Sequence, residues 1–239
     1  MGRRIERFEC VESTMTIAAR LAAEGCPSGT IVVADEQTAG IGRHGHTWIS
    51  EKGTGLYVSI VLRLPMEARA LPVVMLALGL AAQEAIAEVS SLAPDLRWPN
   101  DVLIGGRKCA GILAQLEGDA IVAGIGINVA QTSFPPDLDT PATSLLLQGA
   151  SVGREEMLVT LADAVDRCCR VLTEDGSTAI LRMFEASSSY ARGRRVRVEQ
   201  AGETIEGVTQ GLDHSGFLVL RQDNGRLATI LAGGVREGR

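Results

Sequence analysis

Two hydrophobic patterns meet at Ser187-Ser188-Ser189, and their difference restricts most strongly how this chain folds. Before the triplet, long apolar runs at helical spacing alternate with short β-branched runs. After it come only short apolar stretches, at residues 194–198, 204–212, 217–221 and 227–231, punctuated by Gly202, Ser215-Gly216 and Asn224-Gly225. Closely spaced short strands with a turn signal between each pair predict a small all-β unit. The boundary falls near residue 189, giving units of 1–189 and 190–239. A chain of 239 residues that is 46% hydrophobic has enough apolar material for one sizeable core and a small satellite.

Within the first unit, Ser13 and Thr14 stand before Ile17, Ala18, Leu21 and Ala22, which recur at helical spacing. This predicts an N-capped helix ending near Gly25 and Pro27. Residues 30–35 and 55–64 read as buried strands. Residues 72–89 read as a helix with Pro72 in its first turn, where a missing N–H costs nothing. Strand pieces at 96–98 and 102–104 lead through Gly105-Gly106, a hairpin turn, to strands at 109–117 and 120–127, expected to pair antiparallel across Gly118-Asp119. Residues 154–173 and 178–187 are again helical. Residues 37–50 read as an exposed loop, and residues 130–150, with Pro135-Pro136 and Thr140-Pro141, as a long irregular segment of the kind that serves as a lid.

Composition excludes several classes. A net charge of -6 argues against nonspecific nucleic-acid binding, which needs a basic footprint. Five cysteines, odd in number and without a CxxC pair, imply neither a zinc site nor a disulfide framework. No apolar stretch of signal-peptide type follows Met1-Gly2-Arg3-Arg4. The longest apolar run, residues 71–82, falls short of the roughly 20 residues that span a bilayer. Together these predict a cytoplasmic protein without a membrane partner.

Three stretches carry candidate chemistry. In residues 40–48, three glycines let the backbone approach a ligand, Arg43 offers a planar donor fork suited to phosphate, and Trp48 offers a flat face for a base; alone, the stretch also reads as an ordinary loop. In residues 97–113, Pro99 extends the approach through Trp98, and Asn100-Asp101 form a polar pair in apolar surroundings. Lys108 opens a strand there, with Ala110 and Ile112 as its expected face mates, so it is either an edge gatekeeper or a buried cation with an anionic partner. In residues 124–129, glycines inside a strand mark a close approach, and Asn128 is either a strand end or a ligand contact.

Taken in order, these stretches resemble the biotin–protein ligase family. The matching residues are Ser13-Thr14; Gln37-Thr38-Ala39-Gly40 leading to Arg43 and Trp48; and Gly55-Leu56-Tyr57-Val58-Ser59. They continue with Trp98-Pro99-Asn100-Asp101, Lys108 and Ala110-Gly111-Ile112-Leu113, then Gly126-Ile127-Asn128-Val129 and Ala142-Thr143-Ser144-Leu145. The resemblance spans residues 8–187, and its WPND and KxAGIL motifs are highly specific. It implies an α+β fold with a mixed, largely antiparallel sheet flanked by helices, of biotin/lipoyl ligase type and related to class II aminoacyl-tRNA synthetase catalytic domains. The last fifty residues resemble the family's SH3-like barrel.

The implied activity activates biotin with ATP and magnesium as biotinyl-5'-AMP. Biotin then passes to a lysine of a biotin carboxyl carrier protein domain, with no tightly bound prosthetic group and no protein nucleophile. By resemblance, Ser13, Thr14, Met15, Gln37, Gly40, Tyr57, Lys108, Gly111, Leu113 and Gly124 surround biotin. Ile41, Gly42, Arg43, Trp48, Asn100 and Asn128 surround ATP or the adenylate, with Trp48 on adenine. Lys108 and Arg43 face the carboxylate and α-phosphate, Asp101 orients the acceptor amine, and Asp101 and Asn128 hold magnesium. Departures are Met15, where the family usually has Asn; Ile41, His46 and Thr47, which leave the loop fewer cations than the usual GRGR stretch; and Arg97, where Lys is common. Ser13 lies too near the start for the family's DNA-binding domain, so the expectation is a monofunctional ligase without a repressor role or a nucleic-acid partner, possible as a homodimer. Rival readings are a lipoate– or octanoate–protein ligase, whose RRxSGGG-like stretch is lacking here, and a non-catalytic biotin-binding module.

Overall fold

A computed structural model describes residues 3–138, 140–200 and 202–238. The first sheet has seven strands: β1 (Ile5–Val11), β2 (Thr30–Gln37), β3 (Gly55–Leu62), β4 (Asp95–Arg97), β5 (Asp101–Ile104), β6 (Arg107–Glu117) and β7 (Ala120–Asn128), in the spatial order β1-β2-β3-β7-β6-β5-β4. Only β1 and β2 run parallel; every other neighbour pair is antiparallel. The expected mixed, largely antiparallel sheet is therefore present. Strand β1 was not expected: its alternation is imperfect, and as an edge strand it leaves all seven of its residues half-buried or exposed.

The period of two along the strands sorts the two faces. Leu56, Val58, Ile60 and Leu62 of β3, and Ile121, Ala123, Ile125 and Ile127 of β7, point into the main core. That core is covered by α2 (Leu71–Ser90), α3 (Arg154–Glu174) and α4 (Ser177–Ser187). Helix α2 is long and apolar enough to cross a membrane by length and composition, but eleven of its twenty residues are buried inside the protein. A helix apolar on all sides is what a core position between two layers requires. Among the described residues the one helix on the opposite face is α1 (Thr14–Ala23), whose Met15, Ala18, Leu21 and Ala22 form a smaller cluster with Val32, Val61 and Val122. Ser13 caps α1 with its Oγ accepting from the Met15 N–H at 3.3 Å. Because α1 covers only part of this face, the sheet beside it stays open, and Tyr57, Ser59, Gly124, Gly126 and Asn128 lie there.

The C-terminal strands β8 (Arg192–Gln200), β9 (Glu203–Leu212), β10 (Leu218–Arg221), β11 (Leu227–Ile230) and β12 (Val235–Glu237) form one antiparallel sheet in the order β11-β10-β9-β8-β12. Its inward residues Val196, Val198, Leu218, Leu220, Ile230 and Val235 are continuous with the main core. Gly216, in the turn before β10 at φ +86°, closes against Val73, Leu76 and Leu181, and its carbonyl accepts from Trp98 Nε1 at 2.9 Å. The small sheet is thus tied to the strand bend that carries Asn100 and Asp101.

Candidate active site

Two adjoining cavities open on the face that α1 leaves uncovered. The first encloses about 450 Å³ of atom-free space, counted to its open mouth, and the second about 1090 Å³. Gly42, Arg43, Trp48, Asn100 and Lys108 line both. The cations expected to face two anions thus stand at the junction.

The first cavity grades from neutral polar to apolar to cationic. At one end Gln37 accepts from Thr14 N at 2.8 Å and from Thr14 Oγ1 at 3.0 Å, and donates from Nε2 to Ser50 Oγ at 2.8 Å. Thr14 Oγ1 also lies 2.8 Å from Ser59 Oγ. Met15, Tyr57, Leu113 and Gly124 line the middle. A Cβ on Gly124 would come within 2.6 Å of Met15 Sδ, so the bare glycine makes room for that thioether. Arg43 and Lys108 close the other end. The gradient suits an elongated acid with a neutral hydrogen-bonding head, an apolar middle and a carboxylate tail.

The floor at the junction is bare backbone. Gly111 and Gly126 face each other across β6 and β7, and the Trp48 indole lies on both: a Cβ on Gly111 would be 2.8 Å from Cζ3, and one on Gly126 2.5 Å from Nε1. Among the described residues the buried indole Nε1–H has no hydrogen-bond partner. Lys108 Nζ lies 5.4 Å from the ring centroid, within cation–π range.

Lys108 reaches this face through a bulge. Leu103 pairs with Lys108 but Val102 pairs with Ala110, so Cys109 is an extra residue that reverses the alternation. Lys108 therefore lies beside Gly111, with its Nζ 3.2 Å from where a Cβ would stand, and not on the face of Ala110 and Ile112, as strict alternation predicted. Its partner is Asp101, at 2.5 Å from Nζ to Oδ1. The second Asp101 oxygen accepts from Arg97 Nη2 at 2.6 Å. Burial raises the Asp101 pKa, but the charges of Lys108 and Arg97 outweigh it and hold the carboxyl below the usual range. Burial draws the Arg43 guanidinium down, opposed by Asp101, and its Nη1 donates to Asn100 Oδ1 at 3.0 Å. Asn100 in turn donates to the Ile112 carbonyl at 2.9 Å, which fixes Arg43 relative to β6. Cys109 is no rival nucleophile: its buried thiol donates to the Val102 carbonyl at 3.3 Å and is pushed up to about 12.

Most residues singled out in the sequence line these cavities; the exception is Gly40. It packs behind the loop, its carbonyl accepting from Trp48 N at 2.9 Å, and a Cβ there would lie 2.9 Å from Ser50 Oγ. Ile41 lines the first cavity and bridges to Thr47, so the expected open loop carries a short ladder and a 3-10 turn at Arg43–Gly45. Asp101 and Asn128 line the second cavity, but they do not fit the expected magnesium pair. Both Asp101 oxygens are held by cations, Asn128 Nδ2 donates to the Thr143 carbonyl at 3.0 Å, and Asn128 Oδ1 accepts from Gln131 Nε2 at 3.4 Å. Among the described residues no cluster of three His, Cys, Asp or Glu side chains converges as a metal cage. Magnesium commonly binds through substrate phosphates and its own waters, which such a cage would not supply.

Sequence reasoning missed part of the second cavity's wall: Phe134, Leu138 and Thr140 from the irregular segment, and Gly233, Gly234 and Arg236 from the C-terminal sheet. The proline-rich segment carried a signal for the first group. The second required tertiary packing.

Known proteins share this fold. The model of the biotin/lipoate A/B protein ligase family matches residues 7–131, and that of the biotin protein ligase C-terminal domain matches residues 192–235. The bifunctional ligase/repressor BirA of Bacillus subtilis is 33% identical over 233 residues, covering 94% of this chain and 71% of that protein. The biotin--[acetyl-CoA-carboxylase] ligase of Mycobacterium tuberculosis is 33% identical over 225 residues, covering 92% and 83%. The biotin protein ligase of Aquifex aeolicus, solved in complex with biotin and ATP, superposes with a TM-score of 0.85 at 31% identity over 98% of each chain. With both its segments matched and its full fold shared, the chain belongs to the biotin/lipoate A/B protein ligase family, among the biotin protein ligases.

Proposed function

We propose that Arg43 and Lys108 form the reaction centre of an ATP-dependent biotin–protein ligase, with biotin in the smaller cavity and the nucleotide in the larger. The observation that carries this reading is that both cations line both cavities. A carboxylate acylates an amine poorly because its leaving group is oxide, so it is first activated. One biotin carboxylate oxygen attacks the α-phosphorus of ATP, the bond to the bridging oxygen breaks, and pyrophosphate leaves with the electron pair. Two anions must approach each other in this step. Lys108 and Arg43 offset their repulsion in a partly dry site, and the positioned ends of the cleft supply the alignment.

The head of biotin meets Ser13, Thr14 and Gln37, its bicyclic ring and chain run past Met15, Tyr57, Leu113 and Gly124, and its carboxylate reaches Lys108. The Trp48 indole bounds the adenylate. In the second step a neutral lysine amine of the carrier domain attacks the carbonyl of the mixed anhydride, the bond from that carbon to the phosphate oxygen breaks, AMP leaves with the electron pair, and the extra proton on the new amide nitrogen passes to solvent. Asp101 is the carboxylate nearest the junction to accept a hydrogen bond from that amine. Five free cysteines fit a reducing compartment such as the cytoplasm.

The test is incubation with ATP, magnesium, biotin and a biotin-carrier domain, followed by intact-mass measurement of the carrier. A gain of one biotinyl group, dependent on ATP, supports the reading; an unmodified carrier alongside a control ligase that modifies it rejects the reading.

A further inference from the structure

Asp101 is shared between two cations, and the second of them, Arg97, touches neither cavity. It is 6% exposed, and its Nη2 donates to Asp101 Oδ2 at 2.6 Å and to Thr140 Oγ1 at 3.0 Å. Thr140 Oγ1 also accepts from Arg236 Nη1 at 2.6 Å. A continuous polar chain thus runs from Arg236 on β12 through Thr140, Arg97 and Asp101 to Lys108 Nζ.

We propose that Arg97 is a positioning residue for Lys108: by occupying one oxygen of Asp101, it limits the hold of that carboxylate on the lysine and keeps Nζ at the junction of the two cavities. Desolvating a guanidinium is expensive, and buried ion pairs are often no more stabilising than apolar packing, so fold stability alone is a weak reason for Arg97 to be there. Among the described residues its Nε–H has no partner, whereas Nη2 donates both to Asp101 and to Thr140. Remove Arg97, and both oxygens of Asp101 turn to Lys108, the cation still in direct contact with it. Lys108 is then drawn toward the carboxylate and away from the anions it must meet. Arg97→Lys keeps one cation on Asp101 while losing the planar fork that also reaches Thr140.

This inference rests on the reading that Lys108 acts on the reacting anions, so biotin-dependent ATP–pyrophosphate exchange by the unaltered protein is measured first; its absence rejects that reading and not the role of Arg97. Exchange is then compared for Arg97→Met and Arg97→Lys, each alone and combined with Lys108→Ala. The expected result is a fall in kcat of about 10- to 100-fold for Arg97→Met, the scale for a reacting group misplaced by about an ångström. The KM for biotin stays within about threefold, because its head binds at the far end of the cavity. Arg97→Lys recovers most of the rate, and in the Lys108→Ala background neither change costs anything further. Equal fold losses in both backgrounds, or an unchanged kcat, overturn the proposal. Should Arg97→Met fail to fold, Thr140→Val run through the same cycle decides: a loss of a few fold only where Lys108 is present supports the chain, and an equal loss in both backgrounds overturns it.

Discussion

Replacing Asp101 with asparagine preserves shape and removes one charge from a nearly dry cluster. The Asp101 side chain is 14% exposed, and its partners Arg97 and Lys108 are 7% and 24% exposed. Asparagine can accept through only one oxygen, so its amide must point donors at one of the two cations. Breaking a fully buried ion pair by removing one partner costs about 3–5 kcal/mol. Lys108 can relax into the cleft, which puts the expected loss at about 2–4 kcal/mol. For a chain of this length each kcal/mol lowers Tm by about 2–4 °C, so the variant should melt roughly 4–16 °C lower at pH 7.

The sign of the pH dependence follows from the carboxyl, whose pKa is held below its ordinary value in the folded protein. Its contribution is fully present above the unfolded value, near about 4, and is lost as pH falls through the folded one. Thermal unfolding of the two proteins across pH should therefore give a constant difference at neutral pH that closes on strong acidification. Equal Tm values at pH 7, or a difference that widens as pH falls, would refute the argument that Asp101 is held ionised by its two cations.

Two further outcomes follow from contacts at the floor and at the interface of the sheets. Gly126→Ala asks for no unusual backbone, but its Cβ would lie 2.5 Å from Trp48 Nε1, so the indole must leave the floor; ATP affinity should fall by about tenfold, and a titration at unchanged affinity would remove Trp48 from the nucleotide site. Trp98→Phe deletes the donor to the Gly216 carbonyl and should destabilise the protein by about 1–2 kcal/mol, read by denaturant unfolding; an unchanged midpoint would show that this link carries no energy.

Much of the fold was legible because the chain announces its elements locally. Ser13 caps a helix with apolar residues at helical spacing, Gly105-Gly106 turns a hairpin with both glycines at positive φ, and the texture break at residues 187–189 precedes a purely β segment. What escaped was set by non-local packing. Strand β1 has too little buried surface to impose alternation, and β12 is three residues long. The bulge at Cys109 breaks the period-two rule by one residue, which was enough to assign Lys108 to the wrong face from sequence alone. The site residues nearest to recognisable motifs were found. Thr140 and Arg236 were not, since only the folded chain brings residues 96 positions apart onto one hydroxyl oxygen.

The account depends on two positive side chains meeting a carboxylate and an α-phosphate at one point. The most direct measurement is the rate of biotin-dependent ATP–pyrophosphate exchange in Lys108→Ala beside the unaltered protein. A drop of at least about 10², the scale for losing a preorganised donor to developing charge, is the predicted result. Exchange at close to the unaltered rate would contradict it.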